Sequence, residues 1–215
     1  MTKLSELIVL IKGGGEVASG VAHRLFRAHF KVCLTEIPHP KAVSRGVAFS
    51  EAIYEGTKEV EGVVAKLVQS AGDILRVWQE SKLPIVVDPE ARIRDTLHPD
   101  ILIDAIMAKR NLGTRLTDAS LVIGLGPGFQ AGKDVHLVVE TNNSESLGKV
   151  IFDGEAEKNT GVPIPIGGLT FERALHSPED GLFLANKEIG DPVAAGEVIA
   201  SVGRTSSHSR DWWCD

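Results

Sequence analysis

The chain has 215 residues, of which 43% are hydrophobic and 24% are charged, and its formal net charge is −6. This composition is typical of globular proteins, and an acidic balance without basic runs argues against a nucleic-acid surface. No apolar stretch approaches the roughly 20 residues that a membrane-spanning helix needs, and the N-terminal segment lacks the pattern of a signal peptide. We therefore expect a cytoplasmic protein with no nucleic-acid and no membrane partner.

The first elements of the chain predict a strand–helix–strand unit. Residues 7–11 form an unbroken apolar run, which is typical of a strand buried on both faces. Residues 17–30 carry apolar side chains at helical spacing, and residues 31–36 again have the composition of a strand. The turn between the first strand and the helix matches the Gly/Ala form of the dinucleotide-binding fingerprint, and an acidic residue ends the second strand.

That turn predicts a phosphate site, because the start of a helix offers unpaired N–H groups and a positive dipole end to an anion. The acid at the end of the second strand would accept hydrogen bonds from a ribose. A glycine turn that binds no ligand is the competing interpretation. The predicted cofactor-binding residues of this part are Gly13, Gly14, Gly15, Glu16, Val17, Ala18 and Glu36.

Further apolar runs within residues 84–87, 101–103 and 121–123 predict more strands of the same sheet. Their continuous hydrophobicity indicates a sheet covered on both faces, so we predict a Rossmann-like, mostly parallel α/β domain over residues 1–140. Ligands of such sheets bind outside the carboxyl ends of the strands. Asp88 and Asp104, which end two of the strands, are therefore candidate catalytic residues, although acids in this position also cap turns.

Three other features are candidates for binding or catalysis. Gly124, Gly126 and Gly128 follow a strand and would form either an anion-binding nest or a plain turn. The run Lys109-Arg110-Asn111 suits a phosphate or a pterin-like polyanion, and solvated cations are the alternative. His136 is a candidate general acid or base, or a packed strand histidine. No metal site is predicted, because the seven histidines lack metal-ligand spacing.

Beyond the first domain, short strand candidates alternate with turn residues, which predicts a small β-rich appendage over residues 141–203. Within it, residues 177–203 resemble the first half of a biotinyl/lipoyl-type fold. Strand edges left unpaired there would favour a homo-oligomer. Residues 204–215 are predicted to form a disordered tail.

Several segments together resemble the YqeB-type accessory proteins encoded with selenium-dependent molybdenum hydroxylases. The matching segments are residues 13–25, 36–38, 87–89, 104–114, 124–129, 159–161 and 177–181. The resemblance implies a role in the maturation of those hydroxylases, with the hydroxylase apoenzyme and other maturation factors as partners. It also implies a molybdopterin-type cofactor as ligand, and it leaves open whether the chain catalyses a reaction.

Two other functions are compatible with the residues. The glycine turn and Glu36 would suit an NAD(P)-dependent oxidoreductase bound to an NAD(P)-like nucleotide, but the sequence identifies no hydride acceptor or proton donor beside it. The β-rich appendage would suit a non-catalytic docking protein for the hydroxylase.

Overall fold

The computed structural model describes residues 3–162, 165–171, 175–203 and 205–208. The chain divides into two compact units, one ending at residue 159 and one beginning at residue 160. The strands of the first unit are β1 (Ile8–Lys12), β2 (Lys31–Glu36), β3 (Thr57–Val60), β4 (Val63–Val68), β5 (Leu83–Val87), β6 (Ile101–Asp104), β7 (Leu121–Leu125), β8 (Gln130–Ala131), β9 (Leu137–Val139), β10 (Val150–Ile151) and β11 (Gly154–Glu155). Its α-helices are α1 (Glu16–Arg27), α2 (Ala52–Glu55), α3 (Ala71–Gln79) and α4 (Arg94–Leu97), and its short 3-10 helices are Leu4–Glu6, Arg45–Val47, Phe49–Glu51 and Leu116–Asp118.

The first unit is built on a nine-stranded sheet in the order β10-β9-β7-β6-β1-β2-β5-β4-β3. Pairing is parallel from β9 through to β4, and the two edge strands, β10 and β3, are antiparallel to their neighbours. The predicted mostly parallel, Rossmann-like α/β sheet is thus confirmed. Strand order reverses beside β1, which has β2 on one side and β6 on the other, and crevices at such a reversal are where open α/β sheets bind ligands.

Both faces of the sheet are covered, as its unbroken apolar strands require. Successive residues of a strand point to opposite faces, so Ile11 lies in one buried cluster with Ala18 and Ala22 of α1. Leu10 lies in the other cluster, with Ile74 of α3. Each fully buried Leu or Ile of this kind contributes about 1.5–3 kcal/mol relative to an exposed one. The first cluster packs α1 against the sheet, and the second packs α3 against the opposite face.

Residues 57–68 form a hairpin of β3 and β4. Its turn is made by Glu61 and Gly62, which both have positive φ values of 45° and 78°. A Gly in such a turn supplies the left-handed conformation without a Cβ penalty.

The main sheet also extends past the boundary predicted at residue 140. β10 returns antiparallel to β9, with Val150 opposite Val139. The buried carboxylate of Glu140 accepts N–H groups from Thr141, Asn142 and Glu157, at 2.7–2.8 Å, which ties this return to the segment that follows it. The division between the compact units therefore comes after residue 159.

The second unit contains an antiparallel sheet of β12 (Phe183–Ala185), β13 (Val198–Val202) and β14 (Thr205–His208). β14 lies within the segment 204–215, which was predicted as a disordered tail, while residues 204 and 209–215 lie outside the described residues. The likeness of this unit to half of a biotinyl/lipoyl fold stays a prediction. None of the helices in the described part of the chain is long and apolar enough to cross a membrane.

Candidate functional site

The first glycine turn begins at Gly13, directly after β1 at the point where the strand order reverses. Its φ is +100°, a conformation that side chains rarely adopt, and its N–H donates to the carbonyl of Thr35 in β2 at 2.8 Å. A Cβ at Gly13 would lie 3.0 Å from the carbonyl oxygen of Ala105, just after β6. Glycine is therefore required both for the turn and for the close approach of the next strand's exit.

Gly14 joins this turn to the acid at the end of β2. Its N–H donates to Oε2 of Glu36 at 2.7 Å, and the other carboxylate oxygen accepts the N–H of Ile37 at 2.7 Å. The carbonyl of Gly14 accepts the N–H of Ser50 at 2.8 Å and the hydroxyl of Ser19 at 3.0 Å. The structure thus brings Glu36 to the glycine turn, and a ribose would have to share a carboxylate that already accepts two N–H groups.

The start of α1 is the open part of the turn. Gly15 is the N-cap residue, no side chain caps the helix, and a Cβ at Gly15 would meet nothing within 4 Å. Val17 in the first turn is exposed, while Ala18 is completely buried against the sheet. No side chain of the N-cap residue caps the helix, and the positive end of the helix dipole at this point favours an anion.

Glu16 and the segment after β2 cover one side of this helix start. Oε1 of Glu16 accepts the N–H of Ser44 at 2.6 Å. Partial burial opposes ionisation of the Glu16 carboxyl, but hydrogen bonds from the backbone of Ser44, Glu16 itself and Val43 outweigh it and hold its pKa below the ordinary value. The N–H of Phe49 donates to the Ser19 hydroxyl at 2.7 Å.

Ser50 lies directly beside the glycine turn, since its Cα would be 3.3 Å from a Cβ at Gly14. Its side chain is buried, and its Oγ is the sole buried side-chain oxygen or nitrogen without a hydrogen-bond partner in the described part of the chain. Such a group is uncommon, because leaving a buried hydroxyl unpaired costs about 1–3 kcal/mol.

The glycines of the second turn allow the chain to pack closely. A Cβ at Gly124 would lie 2.6 Å from the ring of Phe129. One at Gly126 would lie 2.5 Å from Oγ1 of Thr141, and one at Gly128 would lie 2.5 Å from the backbone nitrogen of Arg110. The turn after β7 therefore packs closely against the segment that contains Lys109 and Arg110.

The segment after β6, residues 105–111, runs between the two glycine turns. Ala105 lies against Gly13, and the backbone of Arg110 lies against Gly128. Met107 and Lys109 have φ values of 61° and 60°, a strained conformation for residues other than glycine that recurs at functional sites. Both cationic side chains, Lys109 and Arg110, are exposed, and neither has a hydrogen-bond or ion-pair partner among the described residues.

Asn111 differs from its two cationic neighbours because its side chain is used within the loop. Its Oδ1 accepts the N–H groups of Gly113 and Thr114 at 2.9 and 2.8 Å, and its Nδ2 donates to the Thr114 carbonyl at 2.8 Å. Asn111 therefore shapes the turn that presents Lys109 and Arg110.

A buried ion pair, which no local sequence pattern predicts, lies at the reversal point. Nζ of Lys12, the last residue of β1, donates to Oγ1 of Thr114 at 2.6 Å and lies 3.2 Å from Oδ2 of Asp104, the last residue of β6. The Thr114 hydroxyl donates in turn to the same Asp104 oxygen at 2.6 Å. All three side chains are nearly inaccessible.

This pair gives Asp104 a definite role, which is to balance a buried ammonium. Lys12 also lines a cavity of about 410 Å³ on the side of the sheet away from α1, together with Arg92 and Arg94. A register pairing of Lys12 with Asp104 places both side chains on the same face of the sheet. Side chains of a strand alternate between the two faces of the sheet, and this alternation could have suggested that Lys12, which follows an apolar run, is buried. Its partners Asp104 and Thr114 are too distant in sequence to be recognised.

The side chains of the two other candidate catalytic residues, Asp88 and His136, accept hydrogen bonds from backbone N–H groups. Oδ2 of Asp88 accepts the N–H of Ile93 at 2.8 Å, closing the turn after β5. Nδ1 of His136 accepts the N–H of Val122, the second residue of β7, at 2.9 Å. Asp88 lies at the carboxyl edge next to Glu36, whose carbonyl accepts its N–H. His136 lies beside the start of β7, so the structure does not bring it together with the glycine turns. In the described ranges, no three His, Cys, Asp or Glu side chains group as metal ligands.

The sheet topology and the glycine turn at its reversal point define a Rossmann-like α/β protein. No family model matches the sequence. Over 196 residues the chain is 45% identical to the protein named "Uncharacterized protein YqeB" of Escherichia coli (strain K12), a match that covers 91% of this chain and 36% of that protein. The chain thus spans about a third of the relative's length.

One solved structure, named TcdA (CsdL), resembles part of the chain. It matches with a TM-score of 0.35 and 16% sequence identity over 60% of this chain and 52% of its own. A likeness of this size supports no statement about ligand or activity.

Proposed function

We propose that the chain holds the phosphate-bearing part of a molybdopterin-type cofactor or a nucleotide at the carboxyl edge of the sheet. The observation that carries the proposal is the uncapped start of α1 at Gly15, where nothing would contact an added Cβ within 4 Å. Helix N-termini of this kind bind phosphate through their N–H groups and dipole. The neighbouring loops support the same ligand, because Lys109 and Arg110 are exposed cations without partners among the described residues.

The biological role that we infer is assistance in the maturation of molybdenum hydroxylases. It is supported by the resemblance of residues 104–114 and 124–129 to the accessory proteins of those enzymes, and by the fit of a phosphate-bearing pterin to a cationic loop between two glycine turns. The hydroxylase apoenzyme and other maturation factors would then be partners. Arg would contribute a bidentate contact to the phosphate and Lys a point charge.

Gly15→Val tests the ligand directly. Gly15 has φ −69° and a Cβ there would meet nothing within 4 Å, so a valine fits the backbone, and we expect its methyl groups to obstruct a phosphate at the start of the helix. Gly20→Val is the matched control, since Gly20 is exposed on α1 and a Cβ there would also meet nothing within 4 Å.

Native mass spectrometry of protein purified from a host that makes the molybdenum cofactor provides the readout. The proposal expects an added mass on the wild type and on Gly20→Val that is absent from Gly15→Val. An added mass that persists on Gly15→Val, or its absence from the wild type, would contradict the proposal.

A docking role is favoured by one separate observation in the second unit. Leu182, Phe183 and Leu184 are all more than half exposed, and the last two belong to β12, an edge of the described three-stranded sheet. Exposed apolar side chains beside an unpaired edge suit strand addition by a partner. Phe183→Glu would then abolish co-purification with the hydroxylase apoenzyme while Gly15→Val would leave it unchanged, and the reverse pattern would exclude this role.

A further inference from the structure

A second cavity lies at the opposite edge of the sheet from the glycine turns. Its volume is about 780 Å³, and it lies between the C-terminal ends of α1 and α3, next to Lys31 at the start of β2. Pockets of about 300–1,000 Å³ are the usual size for small-molecule sites. No residue predicted from the sequence to bind a ligand lines it.

Three aromatic side chains line this cavity. Phe26 lies in the last turn of α1, Phe30 lies between α1 and β2, and Trp78 lies in α3. The indole Nε1 of Trp78 donates to the carbonyl of Val32 in β2 at 2.7 Å, which fixes the orientation of its ring. Aromatic side chains that line a cavity bind planar apolar groups by stacking and burial.

The charged residues that line the cavity are all of one sign. They are Arg27, Lys31 and, when it is protonated, His29, and no Asp or Glu is among the described lining residues. None of the three side chains has a hydrogen-bond or ion-pair partner in the described part of the chain. A local positive field on a protein of net charge −6 attracts anionic ligands.

Two residues that line the same cavity have a strained backbone conformation. His29 and Ser81 each lie two residues after the last residue of a helix, in the left-handed conformation with φ values of 68° and 55°, and both line the cavity. Glycine is the usual residue there because it adopts this conformation without strain. The sequence has side chains at both positions instead, and strained residues that the fold retains tend to lie at functional sites.

We propose that this cavity binds a small aromatic anion. The ring would lie against Trp78 and the phenylalanines, and its carboxylate, sulfonate or phosphate group would lie near Arg27 and Lys31. The C-terminal cations of α1 also complement the helix dipole, but Arg24 does so without lining the cavity. Arg24 therefore provides the matched control for a site effect.

Calorimetric titration with naphthalene-1-sulfonate and with the neutral 1-naphthalenemethanol tests the proposal on the full chain. Wild-type protein should bind the sulfonate about tenfold more tightly than the neutral compound, which is the effect expected of two exposed cations acting together. The double variant Arg27→Glu/Lys31→Glu should lose that preference, while Arg24→Glu should keep it. In ¹⁵N spectra the indole N–H signal of Trp78 should move with the sulfonate.

Equal affinities of the wild type for the two compounds, or equal losses in the double variant and in Arg24→Glu, would overturn the proposal. So would an unmoved Trp78 signal at saturation. Gly15→Val should leave this binding unchanged, so its outcome is independent of the phosphate site proposed at the other edge.

Discussion

Replacing Gly128 with alanine tests whether the second glycine turn exists to let the cationic segment pack closely. The new Cβ would lie 2.5 Å from the backbone nitrogen and 2.6 Å from the Cα of Arg110, atoms that cannot move aside as a side-chain end can. The φ of +109° adds strain. Left-handed backbone costs an L-residue about 1–2 kcal/mol, and overpacking costs about 1–3 kcal/mol, so the expected total is about 2–5 kcal/mol.

Thermal unfolding followed by circular dichroism measures this loss. A protein of this size loses about 2–4 °C in Tm per kcal/mol, so Gly128→Ala should lower Tm by about 4–20 °C. Gly132→Ala is the matched control, because Gly132 has φ +80° but a Cβ there would meet nothing within 4 Å. Gly132→Ala should lower Tm by about 2–8 °C, because only the backbone strain acts there. Equal decreases in Tm for the two variants would refute the close-packing argument.

Two further predictions concern charged groups at the same edge of the sheet. Lys12→Met should destabilise the protein by about 3–5 kcal/mol in urea unfolding at neutral pH, because it leaves the buried Asp104 carboxylate without its cation. Thr114→Ser keeps the hydroxyl between the two charged groups and should destabilise the protein much less. A Lys12→Met protein as stable as the wild type would contradict the role of the ion pair. Glu16→Gln should destabilise the protein at pH 7, since a carboxyl whose pKa is lowered by folding adds stability above its unfolded pKa. That difference from the wild type should shrink as the pH falls below the unfolded pKa and through the lower folded pKa, and a difference that grows towards acid would contradict the assignment.

The strand–helix–strand unit at the N-terminus could be predicted because its signals are local. The apolar run before Gly13, the helical spacing of α1 and the acid at Glu36 each depend on residues close in sequence, and β2 begins and ends at the predicted residues. The hairpin of β3 and β4 was harder to predict from the sequence, because Glu61 adopts a positive φ that its residue type does not suggest.

The contacts that shape the candidate site could not be predicted, because they join distant parts of the chain. Lys12 and Thr114 are 102 positions apart, and nothing in a single sequence relates them. The glycine pattern of the second turn predicted either a nest or a turn, and the close approach of Arg110 to Gly128 depends on how two loops meet. The contacts of Asp88 and Asn111 were easier to predict, since both residues make the local turn contacts that strand-end acids and amides commonly make.

The central claim is that the first N–H groups of α1 bind a phosphate-bearing molecule. Calorimetric titration of the wild type, Gly15→Val and Gly20→Val with molybdopterin, NAD and ADP tests it most directly. We expect at least one of the three compounds to bind the wild type and Gly20→Val with equal affinity and to show no binding to a folded Gly15→Val. Equal binding to all three proteins, or no binding of any of the compounds to the wild type, would contradict the claim.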